Sequence, residues 1–172
     1  YAPGVALAVA LAALALHGLM ALLLIVVLLR LPPEARDVNP GWHLTFVGFV
    51  VAAVPLAQLG WTGLAAAILW ATMAAAVAIW AASALQLVRR IPPAPLRPML
   101  AIHLAPAALF STVAGLLGYG AVAQGFALFG AVILLALLLA GRWIVESGFS
   151  AIWGAFTFPL TAFALSLVRL AG

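Results

Sequence analysis

The sequence has no cysteine, no lysine and only three acidic residues, Glu34, Asp37 and Glu146. Without cysteine, disulfides, thiolate metal sites and cysteine nucleophiles are excluded. The three acids all fall between apolar stretches, so no carboxylate pair can form inside one. No phosphate-binding loop, metal-ligand cluster or nucleophile–base spacing is present either, and an enzyme is not expected. Charged residues make up 6% of the 172 positions, where a soluble domain carries about 25%. Such a chain cannot cover itself in water. The net charge of +4 is too small, and too confined to loops, to imply nucleic-acid binding.

What is present is apolar sequence: 69% of all residues. The expected fold is therefore an all-α integral membrane protein. Six apolar segments are read at roughly 4–29, 43–59, 61–88, 98–118, 121–140 and 150–170. Most reach the roughly 20 residues needed to cross the hydrocarbon core. The second is the shortest. The first and third exceed the core thickness and should tilt. No linker separates two domains, so residues 1–172 read as one transmembrane domain. The first segment is too long for a signal-peptide core and lacks a basic leader. Because the chain opens at Tyr1 and closes directly after an apolar span, it reads as an internal portion of a longer protein.

Loop charges set the orientation. Arg30, Glu34, Arg36 and Asp37 follow the first segment, Arg89, Arg90 and Arg97 the third, and Arg142 and Glu146 the fifth. The connections near Gly60 and Gly120 carry no charge. Six of the seven arginines thus share one side, which the positive-inside rule makes cytoplasmic. Tyr1 falls on the far side. Arg169, at the end of the sixth segment, can snorkel to the headgroups. The cytoplasmic connections are long and proline-bearing (Pro32-Pro33, Pro40; Pro92-Pro93, Pro95, Pro98), and the outer ones are tight.

Three further prolines sit inside alternate segments: Pro55, Pro106 and Pro159. A helix-interior proline removes one hydrogen bond and clashes with the preceding turn. In lipid this is tolerated only where protein or a water-filled cavity takes up the freed group. The first, third and fifth segments have no such proline at their centres. The pattern predicts repeated hairpins of one kinked and one straight helix, with the kinked helices gathered around a pathway. Segments 2–3 and 4–5 form such pairs, and segments 1 and 6 lack their partners. A kink frees a carbonyl, which would not attract an anion, so the prolines explain width and not charge selectivity.

Three motifs carry a resemblance. They are Asn39-Pro40-Gly41-Trp42, the run Pro95-Leu96-Arg97-Pro98-Met99-Leu100-Ala101-Ile102-His103-Leu104-Ala105-Pro106-Ala107, and Trp153-Gly154-Ala155-Phe156-Thr157-Phe158-Pro159-Leu160-Thr161. They resemble the tellurite-resistance/dicarboxylate transporter family, which includes bacterial TehA proteins and the plant slow anion channels, over roughly residues 39–170. The resemblance implies a ten-helix, five-hairpin pore with proline-kinked inner helices, of which this chain supplies the fourth to ninth helices. It implies a homotrimer in the cell membrane, most simply a bacterial inner membrane, in contact with lipid and with no resident cofactor. Its substrates would be small inorganic or organic anions: halide, nitrate, sulfite, tellurite-related oxyanions or C4-dicarboxylates. It also implies that Phe158 plugs the pore.

The residues add to this. Ala151, Gly154, Ala155, Phe158 and Ala162 fall near one face at 3.6-residue spacing, a small-sided stripe with one large ring that ends at Leu165. Phe158 reads either as a gate or as packing made close by small residues. Segments 2, 4 and 6 hold no acid, whereas cation pathways need acidic rings or carbonyl cages. Arg97 reads as a charge at the pathway mouth or as an interfacial anchor. His103, inside segment 4, reads as a proton-relay group or haem ligand. His17, in a segment expected to be outer, reads as a helix–helix hydrogen-bonding group. His43, at the start of segment 2, needs no special role. Thr157, Thr161, Ser111, Thr112 and Gln124 are polar groups within segments, and hydroxyls can bond back to their own helix. Arg142 and Glu146, four apart, read as an interfacial structural pair. The competing functions are a structural or cofactor-holding subunit of a larger complex and a proton-coupled transporter using His103.

The charge pattern makes a direct prediction. Single cysteines at Val38, Ala94 and Ser147, in a background free of cysteine, are expected to react with an impermeant thiol reagent from one and the same side. Labelling of any one of them from the opposite side overturns the hairpin scheme.

Overall fold

The computed structural model describes residues 2–32 and 35–172; Tyr1, Pro33 and Glu34 lie outside the described residues. All regular structure among the described residues is helical. The α-helices are α1 Pro3–Arg30, α2 Val50–Gln58, α3 Thr62–Arg89, α4 Leu104–Leu116, α5 Gly120–Leu139, α6 Gly141–Ile144 and α7 Thr157–Ala171. Three of them are entered through another helix type. A π turn, His43–Val47, leads into α2, and 3-10 stretches Ala94–His103 and Ala151–Phe156 lead into α4 and α7.

Five helical spans are long and apolar enough to cross a membrane: Pro3–Arg30, Thr62–Arg89, Ala94–Leu116, Gly120–Leu139 and Ala151–Ala171. The expected sixth is helical from His43 to Gln58 but shorter. At a rise of ~1.5 Å per residue it covers about 24 Å, below the ~30 Å of hydrocarbon.

Helix type changes in the three proline-bearing segments and in none of the others. α1, α3 and α5 are unbroken. Pro106 and Pro159 are each the third residue of their α stretch. Proline has no N–H to give, and in both helices it stands where the bonding pattern passes from the 3-10 to the α form. The break therefore lies ahead of the proline, at the change from 3-10 to α winding, rather than at a bend in a continuous α-helix. Pro55 differs. It lies within α2, and the irregularity is the π turn and the Gly48–Phe49 step before it.

The two uncharged turns share one construction. Trp61 N–H donates to the Leu56 carbonyl at 2.8 Å and Gly60 N–H to that of Ala57 at 3.2 Å. In the second turn, Tyr119 N–H donates to Ala114 at 2.8 Å and Gly118 N–H to Gly115 at 3.1 Å. This is the 6→1 and 5→2 pattern that ends a helix on a left-handed residue. Gly60 and Gly118 supply it, with φ of +84° and +80°. Each turn reverses the chain within three residues, and α2 packs on α3 and α4 on α5.

α4 is the axis of the bundle. Ten of its residues are buried, and it touches α2, α3, α5 and α7. Only α4 is enclosed to this degree: α1 buries just Ala10 and Ala21. The main core is built from Val47, Leu56, Leu69 and Phe110 with interleaved alanines. A second cluster joins Leu104 and Ala108 to Phe163 of α7. Phe163 lies directly over Gly130 of α5, where an added Cβ would fall 2.5 Å from its ring.

The charged loops meet on one side of the bundle. Arg90 reaches Asp37 at 3.5 Å, and Arg97 pairs with Glu146. Arg36 caps the end of α1 through the Leu31 and Leu29 carbonyls at 2.9 and 3.1 Å.

The Gly130–Phe163 contact generates a prediction. Gly130→Ala overpacks the α5–α7 contact and should cost about 1–3 kcal/mol, read as a lower thermal midpoint in detergent. Gly125→Ala, where a Cβ meets nothing within 4 Å, is the control and should be neutral or slightly stabilising, since alanine favours a helix over glycine. Equal midpoints for the two variants overturn the contact.

Candidate functional site

A cavity of about 690 Å³ is walled by α1, the π turn with α2, the junction into α4, and one residue of α7, Phe158. Pro55, Pro106 and Phe158, read separately from the sequence, all line it. Among the described residues, its polar lining side chains are His17 and His43. Phe158 is 47% exposed, so its ring is a projection into space rather than part of the core. Pro159, one residue on, is buried and does not line the cavity. The stripe expected around Phe158 has another form: Ala151–Phe156 is 3-10 wound, with three residues per turn, so Ala151 and Gly154 align with Thr157 instead. Phe156 lies outside the cavity lining and packs edge-on to Trp153, ring centroids 6.0 Å apart.

One cavity wall is held by His17. Its Nε2 lies 2.8 Å from the Thr45 carbonyl, which belongs to the π turn. The ring stacks edge-on against Phe49 at 4.5 Å. A Cβ at Gly48 would meet the Leu44 carbonyl of its own turn and would sit 2.8 Å from the His17 ring, so glycine there serves both the turn and the approach of α1. The irregular turn leaves a carbonyl that an apolar surrounding cannot solvate, and a histidine donor from the neighbouring helix takes it up.

His43 is 2% exposed and not the interfacial residue its position suggested. Its Nε2 lies 3.0 Å from His103 Nδ1, with the rings edge-on and 5.1 Å apart. Trp80 of α3 closes the group. Its ring lies 5.4 Å from that of His43, and its Nε1 donates to the His103 carbonyl at 3.3 Å. His43 Nδ1 is buried without a partner. His43 faces the large cavity, while His103 borders two others, of about 140 and 440 Å³. No spacing rule links residues 60 apart in sequence. Only the burial of a polar residue in an apolar chain could have drawn attention to His43.

Arg97 is not a free charge. Its side chain is 12% exposed. Nε donates to the Pro92 carbonyl and Nη1 to that of Trp143, both at 3.1 Å, and the guanidinium lies 4.4 Å over the Trp143 ring. It also pairs with Glu146. Glu146 is thus taken by Arg97, not by Arg142 four residues before it. A planar fork that reaches several acceptors favours this partner. Thr157 and Thr161 bond back to the carbonyls of Gly154 and of Thr157 and Phe158. Ser111 Oγ, expected to do the same, is buried and unpaired. Neither Arg97 nor Thr157 lines any of the three cavities.

Among the described residues no three His, Asp or Glu side chains converge on a metal site. Nor, among those residues, does an acid line the large cavity.

The family described as SLAC1, voltage-dependent anion channel, matches residues 2–172. No curated protein and no solved structure matches the chain.

The Arg97 contacts predict how its variants behave. Arg97→Lys keeps the charge but cannot span the three acceptors, and should lose about 1–2 kcal/mol, because Glu146 is solvent-screened. Glu146→Gln should lose less than about 1 kcal/mol. Thermal unfolding in detergent checks both. A lysine variant as stable as wild type would show Arg97 to act by charge alone.

Proposed function

The chain belongs to the voltage-dependent anion channel family, and from that premise we propose that the 690 Å³ cavity is part of its anion pathway, with the Phe158 ring as the gate. Members of the family are anion channels or transporters, and a chain with five membrane-length apolar helices fits that role. The observation that carries the finer reading is the convergence of Pro55, Pro106 and Phe158 on one apolar space. A half-exposed aromatic ring projecting into a passage closes it by occlusion or dewetting.

Selectivity follows from what lines the space. Among the described residues no carboxylate lines it to hold a cation. The substrates we propose are small anions of the halide, nitrate, sulfite, oxyanion or C4-dicarboxylate kind. The residues do not rank them. α2, α4 and α7 would be inner helices and α1, α3 and α5 outer ones, in a single transmembrane domain that fills six places of a ten-helix, five-hairpin pore. The repeated turns at Gly60 and Gly118 support that hairpin scheme. A homotrimer in a bacterial inner membrane, with the charged loops cytoplasmic, completes the proposal. Arg97 contributes as a strut between two loops rather than as an attractor of anions. Nothing in the site calls for a cofactor.

Phe158→Ala should raise anion conductance in bilayers well above wild type. It should cost less than the ~3–5 kcal/mol of deleting a core phenylalanine, such as the fully buried Phe110. Phe156→Ala should leave conductance near the wild-type level. If neither variant opens the pathway and both only lower stability, Phe158 is a packing residue and the gate is elsewhere.

A further inference from the structure

We propose that the His43–His103 pair is a proton-operated latch between the α2 and α4 segments, closed at neutral pH and released by acid, and that its release widens the anion pathway. The proposal rests on the conduit reading above.

The geometry sets the requirement. A bond between two imidazole nitrogens needs a proton on one and a lone pair on the other. At 3.0 Å the pair is hydrogen-bonded only while at least one of the rings is neutral. With both rings charged, both nitrogens become donors and the contact turns repulsive. The latch therefore exists at neutral and alkaline pH and is lost as pH falls.

Its position gives the bond leverage. His43 opens the π turn and His103 closes the 3-10 stretch, so the bond ties together the two places where these segments change helix type. Mid-segment changes of winding mark hinges. Both partners sit before the α stretches that carry Pro55 and Pro106 to the large cavity. Parting them moves the wall opposite Phe158.

Among the described residues, no carboxylate borders the protonated pair's three cavities. From α3, Trp80 and Ser83 face it, and from α5, Phe129. Across the large cavity, α1 offers His17, whose Nε2 is engaged by Thr45. From α7 comes Phe158. Asn39, Gln86 and Arg90 share the 140 Å³ cavity with His103. Arg90 is cationic and reaches Asp37 at the exposed edge. A second proton thus adds positive charge that must separate the rings or draw an anion into the cavity beside His43. An anion bound there favours protonation, and protonation favours the anion, by the same factor. The 140 Å³ cavity, bordered by Asn39, Gln86 and Arg90, offers protons a way in from the charged loops. The unpartnered Nδ1 of His43 and Oγ of Ser83 are the unsatisfied polar atoms beside the pair.

The test measures anion flux through the full-length protein in proteoliposomes, from about pH 8 down to about pH 3, a range wide enough to charge even buried imidazoles. Wild type should gain flux severalfold on acidification. His43→Gln with His103→Gln keeps an amide hydrogen bond that cannot titrate, and its flux, at whatever level it stands, should not change with pH. His103→Ala removes the partner and should conduct at neutral pH as acidified wild type does. A double glutamine variant that keeps the wild-type pH profile overturns the latch and leaves the conduit standing. If wild type carries no anion at any pH, the conduit reading fails. The latch is then decided by nitrogen NMR of the histidines in lipid, as it is if the double variant does not fold. A shared hydrogen bond between the two rings at neutral pH, lost in acid, supports it. Two rings with no shared bond at neutral pH overturn it.

Discussion

A membrane interior has no water with which to satisfy a backbone group, and each irregularity of this chain is built around that constraint. A helix that leaves the α form must find partners for the carbonyls and amides it releases. The π turn before α2 hands its Thr45 carbonyl to His17 of another helix. The 3-10 stretch before α4 hands the His103 carbonyl to the Trp80 indole. The stretch before α7 is closed by its own hydroxyls, with Thr157 bonded to Gly154. Local departures from regular winding are thereby tied to helix–helix contacts, and those contacts set where the cavity lies.

The packing that supports these breaks is made of small residues. α4 is enclosed on nearly every side because alanines and glycines let its neighbours approach. Ala105, Ala107, Ala108 and Ala114 are all at most 5% exposed, and Gly130 admits the Phe163 ring. In lipid, where apolar side chains gain little by leaving solvent, such close approach supplies the dispersion contacts that hold helices together. The large apolar residues elsewhere point outward: Val88 and Leu139 are 88% and 80% exposed. A cavity persists at the junction of α1, α2, α4 and α7 because proline and glycine stand where larger side chains would close it.

Much of this was readable in the linear chain, and for identifiable reasons. Length and hydropathy are additive along a segment, so the five membrane-length helices are among the six apolar segments read from composition. Gly60 and Gly118 mark the uncharged turns, and the loop arginines share a side because hairpins alternate. The motif around Pro106 and that around Phe158 pointed to the family that matches the chain, although the match begins at residue 2, well before the stretch in which the motifs lie. The site was legible in part. Pro55, Pro106 and Phe158 were named from position and do share a cavity. Arg97 was named for its charge, yet its charge is spent on Pro92, Trp143 and Glu146. Segment 2 was read as a full span because apolarity does not reveal that its helix runs only from His43 to Gln58.

The sequence by itself determined the solvent this protein needs, the number and order of its apolar helices, the side on which its charges gather and the turns that reverse it. Each depends on residues close together in the chain. Tertiary structure alone decided which groups meet across it: His43 with His103, His17 with Thr45, Arg97 with Glu146 rather than Arg142 with Glu146. Those choices turn on rotation about each helix axis. A change from α to 3-10 or π winding shifts the angular position of every later side chain by tens of degrees per turn, and no local pattern records where that change occurs.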